Sequence, residues 1–282
     1  GKLKRTSTPP STRKPKLVLQ FFIDGLFDYG ALQLEKSLDH YMPETMSYFQ
    51  SGIMYRNHWA TSEWTMPSVA SMYTGSLLQS HLMIHRSRRY HVPNSLILIN
   101  EVFQNSNWNV FNYQFNGRKN PFYGYSRGVD YLVYMRDQLS GAVVNNVISD
   151  LDVISSHNAY VHLDLLDLHE LPKPDTTKFV GREKVETSTS STLWERKQPL
   201  VSMYELAMGQ VDQSIRKLLT TLHNTYDDGD LLVVLCSDHG KWFLNPHGGE
   251  KGDLSLYSTR VPFMMRGMEL KARTIESVTS NL

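Results

Sequence analysis

The chain has 282 residues, 40% hydrophobic and 20% charged, enough for one large α/β domain with a buried core, and its one cysteine, Cys236, excludes an intrachain disulfide. No apolar run approaches the ~20 residues of a membrane-spanning helix. The net charge of +1 is uneven: residues 1–16 hold Lys2, Lys4, Arg5, Arg13, Lys14 and Lys16 with no acid, and subtracting those six leaves −5 on the body, which excludes a phosphate-tracking nucleic-acid surface.

Residues 1–16, with Thr8-Pro9-Pro10-Ser11-Thr12 between basic clusters, bury no apolar surface and are expected to form a flexible basic linker. The opening Gly1-Lys2-Leu3-Lys4 reads as a link from an upstream segment. Any membrane tether, and with it an extracytoplasmic setting, is expected to come from such a segment. Residues 17–23 (LVLQFFI) form a nearly continuous apolar run bounded by Pro15 and Gly25, the pattern of a strand buried on both faces. Asp24 follows at its carboxyl end, where open parallel sheets bind ligands.

Residues 31–50 are expected to be helical with a break at Pro43, and residues 53–59 to form a strand. Then comes Trp64-Thr65-Met66-Pro67-Ser68 through Tyr73-Thr74-Gly75. Thr65 is expected just before the helix, with Met66 and Pro67 at its first positions and Gly75 as its stop. Such a helix start gathers backbone N–H groups around an anion. The basic run His81, His85, Arg86, Arg88, Arg89 and His91 is placed to reach an anionic substrate. A helix over 94–105 capped by Asn94, a strand over 108–115, a loop over 116–128 and a helix over 145–156 follow.

Residues 159–169 read as a strand running into a polar end, where Asp167 and His169 in extended backbone point the same way. His162, inside that strand, reads as a core residue. The polar stretch 173–199 has no clear period and leaves from the candidate site, so it is a lid candidate. Residues 202–223 form a helix whose buried face takes Leu206, Met208, Val211, Ile215, Leu218, Leu219 and Leu222. Leu231-Leu232-Val233-Val234-Leu235 is the clearest buried strand and ends in Ser237-Asp238-His239-Gly240. A flexible loop over 246–252 and a strand over 260–266 close the pattern. Alternating strands and helices predict a mostly parallel central sheet with helices on both faces.

Asp24, Asp238 and His239 offer two oxygens and one nitrogen at strand ends, with Thr65 as a further ligand. That mixture suits Zn²⁺ or Mn²⁺ over Ca²⁺, which prefers oxygen throughout. A threonine hydroxyl becomes a useful nucleophile when a base or a metal stabilises its alkoxide.

These segments, in this order, resemble the sulfatase-like branch of the alkaline phosphatase superfamily. Asp24-Gly25 resembles the first metal-binding acid. The segment 64–75 resembles the nucleophile motif, and 160–169 the strand ending in an Asp-x-His motif. Residues 204–222, with Asp212, resemble the helix before the last metal strand. Ser237-Asp238-His239-Gly240 resembles the metal-binding pair, and Gly249-Glu250-Lys251-Gly252 through Arg260-Val261-Pro262 the loop with an anion-binding lysine. The resemblance implies an alkaline phosphatase/sulfatase-like catalytic domain over 17–282, with metal on Asp24, Thr65, Asp238 and His239. It further implies catalysis by Thr65, His169 and Lys251, and substrate contacts from His169, His247, Lys251 and Asp167.

Three residues depart from the family pattern. Thr65 cannot become the formylglycine that sulfatases make from Cys or Ser. Val69 stands where an arginine normally follows Pro-Ser, and Gly25 where many sulfatases place a second acid. The resemblance therefore implies a phosphoester hydrolase or phosphotransferase working through a phosphothreonine, on a phosphoester or an anionic glycan or lipid. The competing readings are a catalytically silent relative that binds a phosphorylated or sulfated glycan, and a sulfuric ester hydrolase.

Overall fold

The computed structural model describes residues 14–29, 36–85, 90–134, 138–169, 171, 193–245 and 254–282. In chain order these form β1 (Leu17–Ile23), α1 (Leu38–Tyr41), α2 (Pro43–Phe49), β2 (Ile53–Tyr55), β3 (His58–Trp59), α3 (Thr65–Thr74), α4 (Leu78–His81), α5 (Ile99–Asn105), β4 (Asn109–Gln114) and β5 (Tyr131–Tyr134). The second half adds α6 (Ser140–Ser149), α7 (Leu151–Ile154), β6 (Ala159–Leu165), α8 (Leu193–His223), β7 (Leu231–Cys236), α9 (Leu256–Thr259), β8 (Phe263–Gly267), β9 (Arg273–Ile275) and β10 (Thr279–Ser280).

Eight strands make one sheet in the order β5-β4-β6-β1-β7-β8-β2-β9, and β10 pairs with β3 in a second, two-stranded sheet. β8 runs antiparallel to both its neighbours, and every other pairing in the large sheet is parallel. The chain thus has the mostly parallel α/β architecture that its alternating pattern predicts.

β1 lies at the centre and shows why its sequence is apolar almost throughout. Leu17, Leu19, Phe21 and Ile23 enter the large core under α2, α6 and α8, while Val18 and Phe22 enter the smaller clusters on the opposite face. A strand covered on both sides gains from apolar residues at every position. Gln20 is the exception, and it is satisfied: its amide donates to Cys236 Sγ at 3.1 Å, and its carbonyl accepts from the Tyr160 hydroxyl.

Several boundaries differ from the expected ones. Residues 14–16 of the expected linker are joined to the body: Lys14 pairs with Asp227 at 2.5 Å, and the Lys16 N–H donates to Asn158 Oδ1 at 2.9 Å. The strand expected over 53–59 is divided between two sheets. The helix expected over 94–105 is only α5, capped from Leu98, whose N–H donates to Glu101 Oε2 at 2.8 Å. The lid candidate loses its last part, because residues 193–199 belong to α8; residues 173–192 lie outside the described residues. Leu206 is 65% exposed and does not belong to the buried face of α8, which uses Tyr204 and Ala207 instead. Asp212, on that helix, accepts from the Glu44 and Thr45 N–H groups at 3.2 and 2.7 Å, and so caps α2 from a distance. Among the described residues, no helix is long and apolar enough to cross a membrane.

Candidate metal centre and nucleophile

The register of the sheet brings the first two acids together. β1 pairs with β7 so that Phe22 lies opposite Cys236, and Asp24 and Asp238 each stand two residues further along. Both are fully buried, and His239 beside them is nearly so. α3 supplies the fourth member. It starts at Thr65 itself, one residue earlier than expected, with Trp64 extended before it and no side-chain cap; Gly75 ends it at φ 59° with its N–H on Ser71 O at 2.8 Å. Because Thr65 does not cap the helix, its hydroxyl is available elsewhere: Oγ1 lies 3.2 Å from His239 Nε2 and 3.4 Å from Asp24 Oδ2.

Each ligand candidate is held by one atom and presents another. The Asp24 Oδ2 atom accepts from the Asn116 amide and from Thr65, leaving Oδ1 buried without a partner. Asp238 Oδ1 accepts from the N–H groups of Gly25 at 3.2 Å and His239 at 2.9 Å, leaving Oδ2 in the same condition. The His239 Nδ1–H donates to Gly240 O at 2.7 Å, which orients the ring so that Nε2 faces the acids. Nε2 lies 3.7 Å from Asp24 Oδ1 and 3.4 Å from Asp238 Oδ2.

Two orphaned carboxylate oxygens in a buried site are costly unless a cation meets them. The candidate ligand atoms of Asp24, Asp238 and His239 all lie within 4.8 Å of one another, the one such group among the described residues. Two oxygens and one imidazole nitrogen fit a divalent transition metal.

The charges agree with that geometry. Burial pushes the Asp24 carboxyl up, but His169, His239, Lys241 and Lys119 outweigh it and hold Asp24 below the ordinary carboxylate range. Burial, and next the Asp24 charge, push Asp238 above it. One acid lowered and its neighbour raised is the behaviour of two carboxylates confined in one site.

Behind Asp24 lies a buried polar group that the sequence does not announce. Lys119 is fully buried, pairs with Asp164, sits 3.1 Å from His162 Nε2 and lies over the Phe22 ring at 3.4 Å from its centroid. His162 is bonded to Asp164 at 2.9 Å, and its pKa is pushed down to about 4 by burial and by Lys119. Asn116 stands two residues beyond the end of β4, close enough to a strand end for the logic that singles out Asp24 to apply to it as well. Lys119, in a Gly-Arg-Lys-Asn-Pro stretch, gives no such signal.

The remaining expected site residues are placed as follows. His169 sits in the turn after β6, and its charge acts on Asp24. Asp167 does not share its direction. β6 ends at Leu165 and the chain turns, so Asp167 accepts from the Ser140 N–H and Oγ, both at 2.9 Å, and caps α6. His247 and Lys251 lie outside the described residues. His81, expected to face an anion, is buried, with Nε2 3.1 Å from Ser71 Oγ and Nδ1 accepting from the Met83 N–H. Val69 is fully buried in the apolar cluster with Phe22, Met66, Leu98 and Tyr125.

Comparison with known proteins bears on the fold and the family. No curated protein matches by sequence. Among solved structures, the chain resembles the phosphonate monoester hydrolase of Agrobacterium radiobacter, with a TM-score of 0.73 and 14% identity over 95% of this chain and 71% of that one. It resembles the phosphonate monoester hydrolase of Silicibacter pomeroyi with a TM-score of 0.72 and 17% identity, over 94% and 71% of the two chains. A 2-O GAG sulfatase follows at 0.69 and 13% identity, over 95% and 68%. At these identities the likeness shows the fold. The family model described as Sulfatase matches residues 18–282, nearly the whole chain, and the chain belongs to that family of the alkaline phosphatase-like superfamily.

Proposed function

We propose that this sulfatase-family hydrolase acts on phosphoesters, by hydrolysis or by transfer to an alcohol, through a covalent phosphothreonine at Thr65. One observation carries the reading. A hydroxyl that cannot become formylglycine stands at the first residue of α3, within 3.2 Å of His239 Nε2 and 3.4 Å of Asp24 Oδ2. The phosphonate monoester hydrolases among its structural relatives are named for esters of phosphorus, which supports the same element here.

Asp24 Oδ1, Asp238 Oδ2 and His239 Nε2 would hold a Zn²⁺ or Mn²⁺ ion, which when bound supplies Lewis-acid stabilisation of a threonine alkoxide and of a phosphoryl oxygen. Thr65 then attacks phosphorus: the Oγ–P bond forms as the ester P–O bond breaks, the hydroxyl proton passes to Asp24 Oδ2, which Asn116 orients 3.4 Å from Oγ1, and the alcohol leaves on the opposite face and takes its proton from solvent. In the second step water or an acceptor alcohol takes the phosphoryl group, and Thr65 regains a proton. The N–H groups of Thr65 and Met66 at the start of α3 favour the anion there. His169, together with His247 and Lys251, supplies positive charge to the transferred group's oxygens.

The test is to incubate the metal-loaded protein with an aryl phosphate, quench in acid and map the modified peptide. Phosphate on Thr65 is expected, with partial activity in Thr65→Ser and a loss of about 10³-fold or more in Thr65→Ala. Full turnover by Thr65→Ala, or a clear preference for aryl sulfate, would contradict the mechanism.

A further inference from the structure

Gly25 directly follows Asp24, and its N–H donates to Asp238 at 3.2 Å. A side chain at this position would meet the end of the Lys241 side chain and would have to displace it. A Cβ placed on Gly25 would fall 2.6 Å from Lys241 Cε and 2.9 Å from Lys241 Nζ, and the backbone there is left-handed at φ +78°. The space that a larger residue 25 would fill is taken by the end of a lysine, delivered by the segment that carries Asp238 and His239.

The lysine is held in that place. Gly240 and Lys241 donate their N–H groups to Ser258 O and Tyr257 O, both at 2.8 Å, and Lys241 is only 8% exposed. Gly240 is needed for this approach, since a Cβ there would fall 2.1 Å from Tyr257 O. The Lys241 charge is among those that counter burial at Asp24.

We propose that Lys241, through the ammonium it places over Gly25 beside Asp24, Asp238 and His239, sets the charge preference of the site and selects a doubly charged phosphate monoester over a singly charged sulfate ester. The inference rests on the phosphoester reading above and narrows it to a substrate class. A divalent cation on two carboxylates and a neutral imidazole has no net charge. Beside the charges of His169 and Lys119 that also reach Asp24, Lys241 adds one positive charge, whereas an acid at position 25 in its place would add one negative charge. The exchange moves the site by two charges at a position next to a ligand. A phosphate monoester completes its second ionisation near pH ~6 and is a dianion above it, while a sulfate monoester stays a monoanion. In a buried site that extra charge is weighted more heavily than in water.

The test separates binding from turnover. In a Thr65→Ala background loaded with Mn²⁺, calorimetry gives the affinities of phenyl phosphate and phenyl sulfate, with Lys241 intact, replaced by Gln, or replaced by Arg. Lys241→Gln is expected to lower the phosphate-to-sulfate affinity ratio about tenfold and Lys241→Arg to keep it within about threefold. With Lys241 intact, phenyl phosphate affinity should rise across its second ionisation more steeply than in Lys241→Gln. Titration of the metal-free protein with Mn²⁺ should also show tighter binding in Lys241→Gln, because a repelling charge is gone. An unchanged ratio in a metal-binding Lys241→Gln, or an arginine variant that behaves like the glutamine one, overturns the proposal. If the ratio falls as expected while the native protein phosphorylates no threonine, the turnover reading fails and the charge selector stands. Phosphorylated Thr65 with an unmoved ratio gives the reverse.

Discussion

Asp24 divides its two oxygens between tasks, one meeting Asn116 and Thr65 and the other left for a cation. Replacing Asn116 by Ala removes the donor that fixes this division, so we expect metal affinity to fall about 10- to 100-fold with the fold retained. Competition against a metal indicator, alongside a circular dichroism melt, checks this; unchanged affinity would remove Asn116 from the site. Asp24, Asp238 and His239 are legible in the sequence because strand ends are readable and the chemistry of their side chains is unambiguous. Asn116 shares that position but has neutral chemistry. Lys119 and Lys241 are hidden for a different reason: lysines are rarely buried, and what buries these two is the partner that tertiary structure brings, Asp164 for one and the space above Gly25 for the other.

β6 carries the polar group behind the site. The Lys119–Asp164 pair is fully buried, so removing one partner strands a charge: Lys119→Met should destabilise by about 3–5 kcal/mol, and adding Asp164→Leu should recover much of that loss. Urea unfolding of the single and double variants measures both. His162 adds a pH dependence. Its folded pKa is about 4 against an ordinary 6.5, so across that window the unfolded chain takes up a proton that the folded chain refuses. Stability therefore rises with pH through the window and is lost as pH falls through it, by up to about 3 kcal/mol. His162→Gln should flatten this slope; an unaltered slope would show that His162 is not its source. The strand itself is legible because seven buried residues in a row leave little alternative. Its end is not, since the turn over 166–169 depends on Asp167 finding Ser140 on α6, a long-range contact without a local signature.

The whole molecule bears on the site through its last residues. The Asn281 Nδ2–H donates to Ser237 O at 2.9 Å, next to Asp238, while Asn281 Oδ1 accepts from His58 Nε2 at 2.7 Å and His58 Nδ1 accepts from the Thr279 hydroxyl at 2.9 Å. Two strands outside the central sheet, β3 and β10, thereby brace the loop that carries two ligands. Asn281→Ala leaves a buried carbonyl and an imidazole unsatisfied, and should cost about 1–3 kcal/mol in stability and weaken metal binding along with it. Thermal melts with and without metal test this, and equal melting points for variant and native protein would show that the brace is idle. The parallel sheet is legible from the alternation of apolar runs and amphipathic stretches, but β9, β10 and β5 are short, half exposed and without a clean period, and only pairing makes them strands. The account depends most on a cation at Asp24, Asp238 and His239, and the direct measurement is elemental analysis with anomalous diffraction on crystals grown with Zn²⁺ or Mn²⁺. It predicts one ion at about 2.0–2.2 Å from Asp24 Oδ1, Asp238 Oδ2 and His239 Nε2, absent in Asp238→Ala. A site that stays empty at saturating Zn²⁺ and Mn²⁺, or an ion bound elsewhere with these three atoms untouched, would contradict it.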